Sequence, residues 1–138
     1  MNFFTIGYGG RRPSEFVDIL QRNQILTVAD VRLRPQRASM GCYVLAKSPE
    51  KGIRGLLGRA GIGYCWVEEL GNPFLGHDDW QDRYREWILA EGELRCRKLF
   101  DLEEPVCLLC AEKRISECHR MHVAEFLTRQ GHSLEAHL

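Results

Sequence analysis

Cys110, Glu112, Lys113, Cys118, His119 and Arg120 fall within one eleven-residue stretch, CAEKRISECHR, directly after the apolar run Val106-Cys107-Leu108-Leu109. No eleven-residue stretch elsewhere in the chain combines two thiols, an imidazole, carboxylates and cations. Three chemistries fit these residue types. A thiolate at Cys110, favoured by Lys113, His119 or a helix N-terminus, is a nucleophile, with Glu112 or His119 as its acid or base. Cys110, Cys118 and His119 are suitable donors for a metal, although on one continuous helix Cys118 and His119 diverge by about 100°. The third is plain packing, with two buried thiols and an ion pair between Arg120 and Glu112.

Ser116 can cap a helix that runs to Gln130, where Gly131 stops it. Val123, Ala124, Phe126 and Leu127 form its buried stripe, so His119 and Arg120 face inward while Cys118 and His122 turn away on a shared flank. A buried arginine needs an acceptor: a carboxylate such as Asp30, Glu69 or Glu112, or a bound anion. Cys107 and Cys110 spell C-x-x-C, but inside a strand an offset of three puts their side chains on opposite faces, roughly 10 Å apart. That separation is too great for a disulfide.

Polar residues and glycines also follow the other apolar runs. Gly7-Tyr8-Gly9-Gly10-Arg11-Arg12 lets backbone come close to a ligand and offers N–H groups ahead of a helix, as an anion site or as a tight turn. It fits neither the dinucleotide nor the Walker phosphate pattern. Asp30 and Arg32 lie two apart on one strand face, which favours an ion pair over a substrate clamp. Arg34 and Arg37 carry positive charge into a loop of about 18 residues, long enough to be a lid or binding segment. Glu68-Glu69-Leu70-Gly71 completes the set.

The elements that must position these groups alternate along the chain. Strands are expected at Phe3–Tyr8, Ile25–Val31, Ile62–Val67, Val106–Cys110 and His132–Leu138. Helices are expected from Pro13, from Lys51 to Ala60, from Asp78 to Leu102 with a break near Gly92, and from Ser116 to Gln130. This order predicts a single α/β domain over residues 1–138, with a mostly parallel five-stranded sheet covered by helices on both faces, a Rossmann-like three-layer arrangement. The first and fourth strands are apolar throughout and belong in the centre, whereas Leu134, Ala136 and Leu138 alternate with polar neighbours as at an edge. Trp80, Tyr84, Trp87 and Ile88 at helical spacing read as core. In such sheets ligands bind beyond the carboxyl ends of the strands, where all four polar segments collect.

Composition narrows the classes. The chain has 138 residues, 44% apolar and 28% charged, with five prolines, which excludes disordered and low-complexity classes. No run approaches the roughly 18 apolar residues of a membrane span, and the first residues lack a signal-peptide pattern, so a cytoplasmic protein without membrane contact is expected. Six scattered cysteines are expected to be reduced. The zero net charge hides a division: residues 1–60 hold 10 Lys or Arg against 4 Asp or Glu, and residues 61–138 hold 9 against 15. A nucleic-acid partner is one reading of the basic half and mutual neutralisation is the other.

Thr5-Ile6-Gly7-Tyr8-Gly9-Gly10, Asp30-Val31-Arg32 followed by Pro35, Leu70-Gly71, and Leu109-Cys110-Ala111-Glu112-Lys113 with Cys118-His119-Arg120 together resemble the family catalogued as domain of unknown function 488. The resemblance implies a small prokaryotic α/β protein with its shared positions on the strand-end rim, and it implies no reaction. Rhodaneses and cysteine phosphatases share the strand, cysteine loop and helix logic, but their Cys-x5-Arg spacing asks for arginine where Ser116 stands. The chain departs from the family pattern at Arg114-Ile115, where Asp-Pro is common, at His122, usually apolar, and at Asn72-Pro73-Phe74. The expectation is a small anionic, phosphate-bearing ligand or a nucleic acid at that rim. Gly7, Tyr8, Gly9, Gly10, Asp30, Arg32, Glu69, Lys113 and Arg120 would bind it, and Cys110, Glu112 and His119 would supply reactivity. The alternatives are a metal-binding or redox-sensing module on Cys110, Cys118 and His119, and a partner-binding domain without chemistry.

Overall fold

The computed structural model describes residues 1–138. Five strands, β1 (Asn2–Gly7), β2 (Thr27–Asp30), β3 (Gly63–Trp66), β4 (Val106–Cys110) and β5 (Ser133–His137), form one all-parallel sheet in the order β3-β2-β4-β1-β5. Four helices connect them: α1 (Pro13–Arg22), α2 (Gly52–Arg59), α3 (Trp80–Arg95) and α4 (Arg120–Arg129). The α/β architecture expected from the alternation of patterns is what the chain adopts. β4 and β1 are interior and β5 is an edge, in line with their apolar patterns.

Strand parity sorts the core into two layers. Phe3, Ala29, Val106, Leu108 and Cys110 pack against Tyr84 and Ile88 of α3 and Val123, Phe126 and Leu127 of α4. Ile6, Val28, Cys107 and Leu109 point the other way, onto Phe16 and Leu20 of α1 and Ile53 and Leu57 of α2. Cys107 and Cys110 thus lie on opposite faces, and all six cysteines are free thiols. Tyr84 and Ile88 are core, with Trp80 and Trp87 half-buried against them. No helix is long and apolar enough to cross a membrane.

This wiring selects one place in the sheet. β1 and β2 flank β4 and both lead into the α1/α2 layer, whereas β4 leads into the α3/α4 layer. Chain therefore leaves the end of β4 in the opposite direction from both neighbours. A crevice opens there, at Cys110.

Two helix boundaries differ from the sequence reading. α3 runs unbroken through Gly92 and ends at Arg95, followed by a 3-10 turn at Arg97–Asp101. Gly92 serves packing: a Cβ there would meet the Phe126 ring at 2.7 Å, so its hydrogen is what lets α3 and α4 approach. α4 begins only at Arg120, because Ile115–Glu117 forms a separate 3-10 turn and Cys118 is extended at φ −127°, ψ 140°. The extended Cys118 removes the 100° divergence from His119 that a continuous helix would impose. It also turns Cys118 inward, where it is 1% exposed, and His122 is buried as well, so neither points away from the core.

Gly92→Ala should lower stability by about 1 kcal/mol, since overpacking of about 1–3 kcal/mol exceeds the helix-propensity gain of about 1 kcal/mol. Urea denaturation checks the sign. A stabilised variant would mean that the Phe126 ring moves aside freely.

Candidate functional site

The β1–β4 ladder continues past both strands, with Tyr8 N–H donating to Cys110 O at 3.1 Å and Gly9 N–H to Ala111 O at 2.9 Å. Beyond it the β4–α4 segment folds back over β1. Its Glu112 carbonyl lies so close to Gly7 that a Cβ there would sit 1.8 Å from the oxygen. Arg120, 2% exposed, holds this segment from below: Nη1 donates to Glu112 O at 2.6 Å and Nη2 to Lys113 O at 3.3 Å, while Nε is buried without a partner. The acceptors of the buried arginine are thus backbone carbonyls, where the sequence suggested a carboxylate or an anion. The glycine turn has a structural duty too. Gly9 has spent its N–H on Ala111, and Gly10 is an exposed turn residue at φ +70°.

On the β2 side, Asp30 is fully buried and takes Arg32 through two hydrogen bonds, Nε to Oδ1 at 2.9 Å and Nη2 to Oδ2 at 2.6 Å. Tyr64 Oη donates to the same Oδ2 at 2.6 Å. Arg32 Nη1 donates to Tyr43 O at 2.8 Å and to Tyr8 Oη at 3.4 Å. Burial works against the Arg32 charge, but the Asp30 carboxylate overrides it and raises the guanidinium pKa, so the group stays charged. The same carboxylate adds to burial in pushing the Tyr64 hydroxyl up. Tyr43, stacked on Tyr8 with ring centroids 4.2 Å apart, donates to Arg11 O at 2.8 Å. It fixes the long Arg32–Pro49 loop against the glycine turn.

Between these two supports lies a cavity of about 530 Å³. Cys110, Glu112 and His119 line one side, Tyr8 and Arg32 the floor toward β2, and the loop residues Arg34, Arg37, Ala38 and Ser39 the opposite wall, with Pro73 and Leu75 closing the end. Of the residues singled out from sequence, Tyr8, Arg32, Cys110, Glu112 and His119 meet here. Gly7, Asp30 and Arg120 stand behind the lining as supports. Lys113 is exposed and contributes its carbonyl, and Glu69 lies apart, bonded to Lys98 at 3.0 Å.

The sulfur chemistry is compact. Cys110 Sγ donates to Glu112 Oε2 at 3.1 Å and lies 3.9 Å from His119 Nδ1. Because the Val31 carbonyl only accepts, the 2.6 Å contact from His119 Nε2 fixes a proton on Nε2 and leaves Nδ1 for the sulfurs. Cys118 Sγ accepts the Arg120 backbone N–H at 3.4 Å. The two thiols are driven apart in acidity. Hydrogen bonding with Cys118, burial and the Glu112 carboxylate all push Cys110 up. Burial opposes ionisation of Cys118, but its interactions with Cys110 and His119 and the positive charge of Arg120 pull its pKa down. Of the two thiols Cys118 is thus the more acidic and Cys110, directed at Glu112, the less.

Tyr43, Tyr64 and the Val31 carbonyl were invisible to sequence reasoning, because neither spacing nor motif ties them to Asp30, Arg32 or His119. Strand parity could have offered Tyr64, which faces the same layer as Asp30 one strand away.

A family model described as a domain of unknown function, DUF488, matches residues 12–127. The matched range includes Asp30, Arg32 and the whole Cys110–Arg120 stretch, and leaves β1 with its glycine turn outside. No curated protein and no solved structure matches the chain.

Gly7→Ala should cost about 2–3 kcal/mol by lifting the Glu112 carbonyl off Arg120. Gly10→Ala, with open space around it, should cost about 1 kcal/mol of backbone strain; equal losses in urea would show that the close approach at Gly7 is not what matters. His122 offers a pH test. Burial lowers its pKa from 6.5, so the unfolded chain takes up the proton first, and the stability present above about pH 6.5 is lost as pH falls below that value. Burial lowers His132 and His137 likewise. Denaturation at pH 5 and 7.5 should show the loss, and His122→Gln should reduce it; an unchanged difference would exclude His122 as its source.

Proposed function

The chain belongs to the DUF488 family of domains of unknown function, and from that premise we propose that it binds a small anionic, phosphate-bearing molecule in the cavity beyond β4 and presents it to Cys110, Glu112 and His119. One observation carries the reading. Arg34 and Arg37 project from the loop onto the cavity with no carboxylate partner, facing a wall of reactive side chains across a space of about 530 Å³. That volume is within the range of small-molecule sites. Arg32 adds a third cation at the floor, already held by Asp30, so its charge is fixed in place before any ligand arrives.

Glu112 is placed to take a proton. Attack by Cys110 sulfur on an electrophilic centre of the ligand would form a sulfur–ligand bond and deliver the thiol proton to Glu112 Oε2, 3.1 Å away, while the bond to the leaving group breaks. Asp30, Gly7 and Arg120 act as positioning residues behind this surface. The same cations would take the phosphates of a short nucleic acid, and the outcome of the test separates the two sizes of ligand.

Thermal unfolding with nucleoside mono- and diphosphates, phosphosugars and short single-stranded oligonucleotides should identify at least one that stabilises the protein by about 2.7 kcal/mol at a hundredfold excess over its Kd. The exposed double substitution Arg34→Ser, Arg37→Ser should abolish that stabilisation and leave the free protein's Tm unchanged. Stabilisation by none of these anions, or by all equally in the double variant, would refute the reading.

A further inference from the structure

Cys110 Sγ, Cys118 Sγ and His119 Nδ1 all lie within 4.8 Å of one another. They come from two elements, the end of β4 and the segment entering α4, and are buried beside the cavity described above. We propose that these three atoms bind one divalent ion of the zinc class, with the fourth coordination position directed to the cavity. The proposal deepens the anion-binding reading by giving the same site its cofactor, and the ion would replace the Cys110 thiol as the electrophile-handling group.

The donor set is the first argument. Two sulfurs and one imidazole nitrogen suit a borderline-soft ion with tetrahedral preference, and three protein ligands with one open position are the pattern of reactive rather than structural sites. Bond lengths of about 2.3 Å to sulfur and 2.0 Å to nitrogen place tetrahedral ligands roughly 3.5–3.8 Å apart. His119 Nδ1 and Cys110 Sγ are at 3.9 Å already, and with all three donors within 4.8 Å ligation asks for a contraction of at most about 1 Å between any pair.

Preparation of the ligands is the second. His119 Nε2 is committed to the Val31 carbonyl at 2.6 Å, the outer contact that fixes a ligating histidine's tautomer and aims its other nitrogen. Arg120 backbone N–H points to Cys118 Sγ at 3.4 Å, and its guanidinium anchors the segment that carries Glu112. Cys118 is extended between a 3-10 turn and α4, a break in the helix that brings its sulfur and the His119 ring to one point.

Charge balance is the third: two thiolates beside the Glu112 carboxylate would exceed the single positive charge of Arg120 nearby. Glu112 Oε2 sits 3.1 Å from Cys110 Sγ, and the Arg120 guanidinium gives its hydrogen bonds to the Glu112 and Lys113 carbonyls and none to either sulfur. A divalent ion supplies the missing charge as the sulfurs bind as thiolates and release their protons to solvent. The Glu112 carboxylate then either completes the coordination or takes the proton of a water in the fourth position.

The full chain, purified without a histidine tag and stripped with chelator, is to be titrated with Co²⁺ and then Zn²⁺. One equivalent of Co²⁺ should produce thiolate-to-cobalt charge transfer and the strong visible bands of a tetrahedral site, and Zn²⁺ should remove both. Cys118→Ser and His119→Gln should each weaken Co²⁺ binding at least tenfold, whereas Cys42→Ser, remote from the cluster, should not. Since the buried substitutions can impair folding, a second readout uses the unaltered chain: Zn²⁺ should protect two thiols from alkylation. Absence of a charge-transfer band, or two thiols equally reactive with and without Zn²⁺, overturns the proposal. A chain that binds one Co²⁺ but none of the phosphate compounds supports this site and refutes the anion reading; one that binds a phosphate compound with no metal does the reverse.

Discussion

The contact on which the site depends is the burial of the Arg120 guanidinium beneath the Glu112 carbonyl, over a glycine that has no side chain to prevent it. A charged group taken out of water must be repaid by hydrogen bonds, and here the acceptors are backbone oxygens of the segment that leaves β4. The same guanidinium that would be costly if unpaired therefore fixes the path of Glu112 and Lys113. Cys110, Glu112 and His119 take their relative positions from that path. Gly7 permits it, and Asp30 does the equivalent work on the opposite side by holding Arg32 with both carboxylate oxygens. Each half of the cavity thus stands on one buried arginine whose acceptors lie behind the surface it supports.

The wiring of the sheet explains why these supports meet. Placing β4 between β1 and β2, with its connection on the opposite layer, opens the space beyond Cys110 and leaves it bounded by three strand ends. The charge division along the chain is not a division between the helix layers, because basic and acidic residues nearly cancel within α1 and α2 and within α3 and α4. The excess lies in the connections, and Arg34 and Arg37 are carried to the crevice by the loop after β2. The charge that matters to the cavity is thus local to one loop.

Much of the framework was legible in the chain. Apolar runs and helical spacing gave every strand and the four helices, since burial on two faces or on one stripe leaves a periodic mark, and offset parity separated Cys107 from Cys110. The reading of the Ser116–Gln130 segment shows where periodicity stops. Its apolar stripe belongs to residues 123–127, and nothing in the pattern reveals that Cys118 is extended, because a single extended residue at a helix entrance does not alter the spacing beyond it. Gly92 shows the converse: a glycine that suggests a helix break is tolerated because an aromatic ring from a neighbouring helix fills its space.

What the chain determined by itself was the inventory: which segments are buried, which residue types gather after each strand, and that Asp30 and Arg32 share a face. Tertiary structure decided the partners. Tyr64 reaching Asp30 and Val31 orienting His119 depend on segments far apart in sequence, while Arg120 finding carbonyls in place of a carboxylate and two sulfurs sharing one space depend on how the chain turns after β4. Periodicity records which way a side chain points; only the assembled sheet sets what stands opposite it.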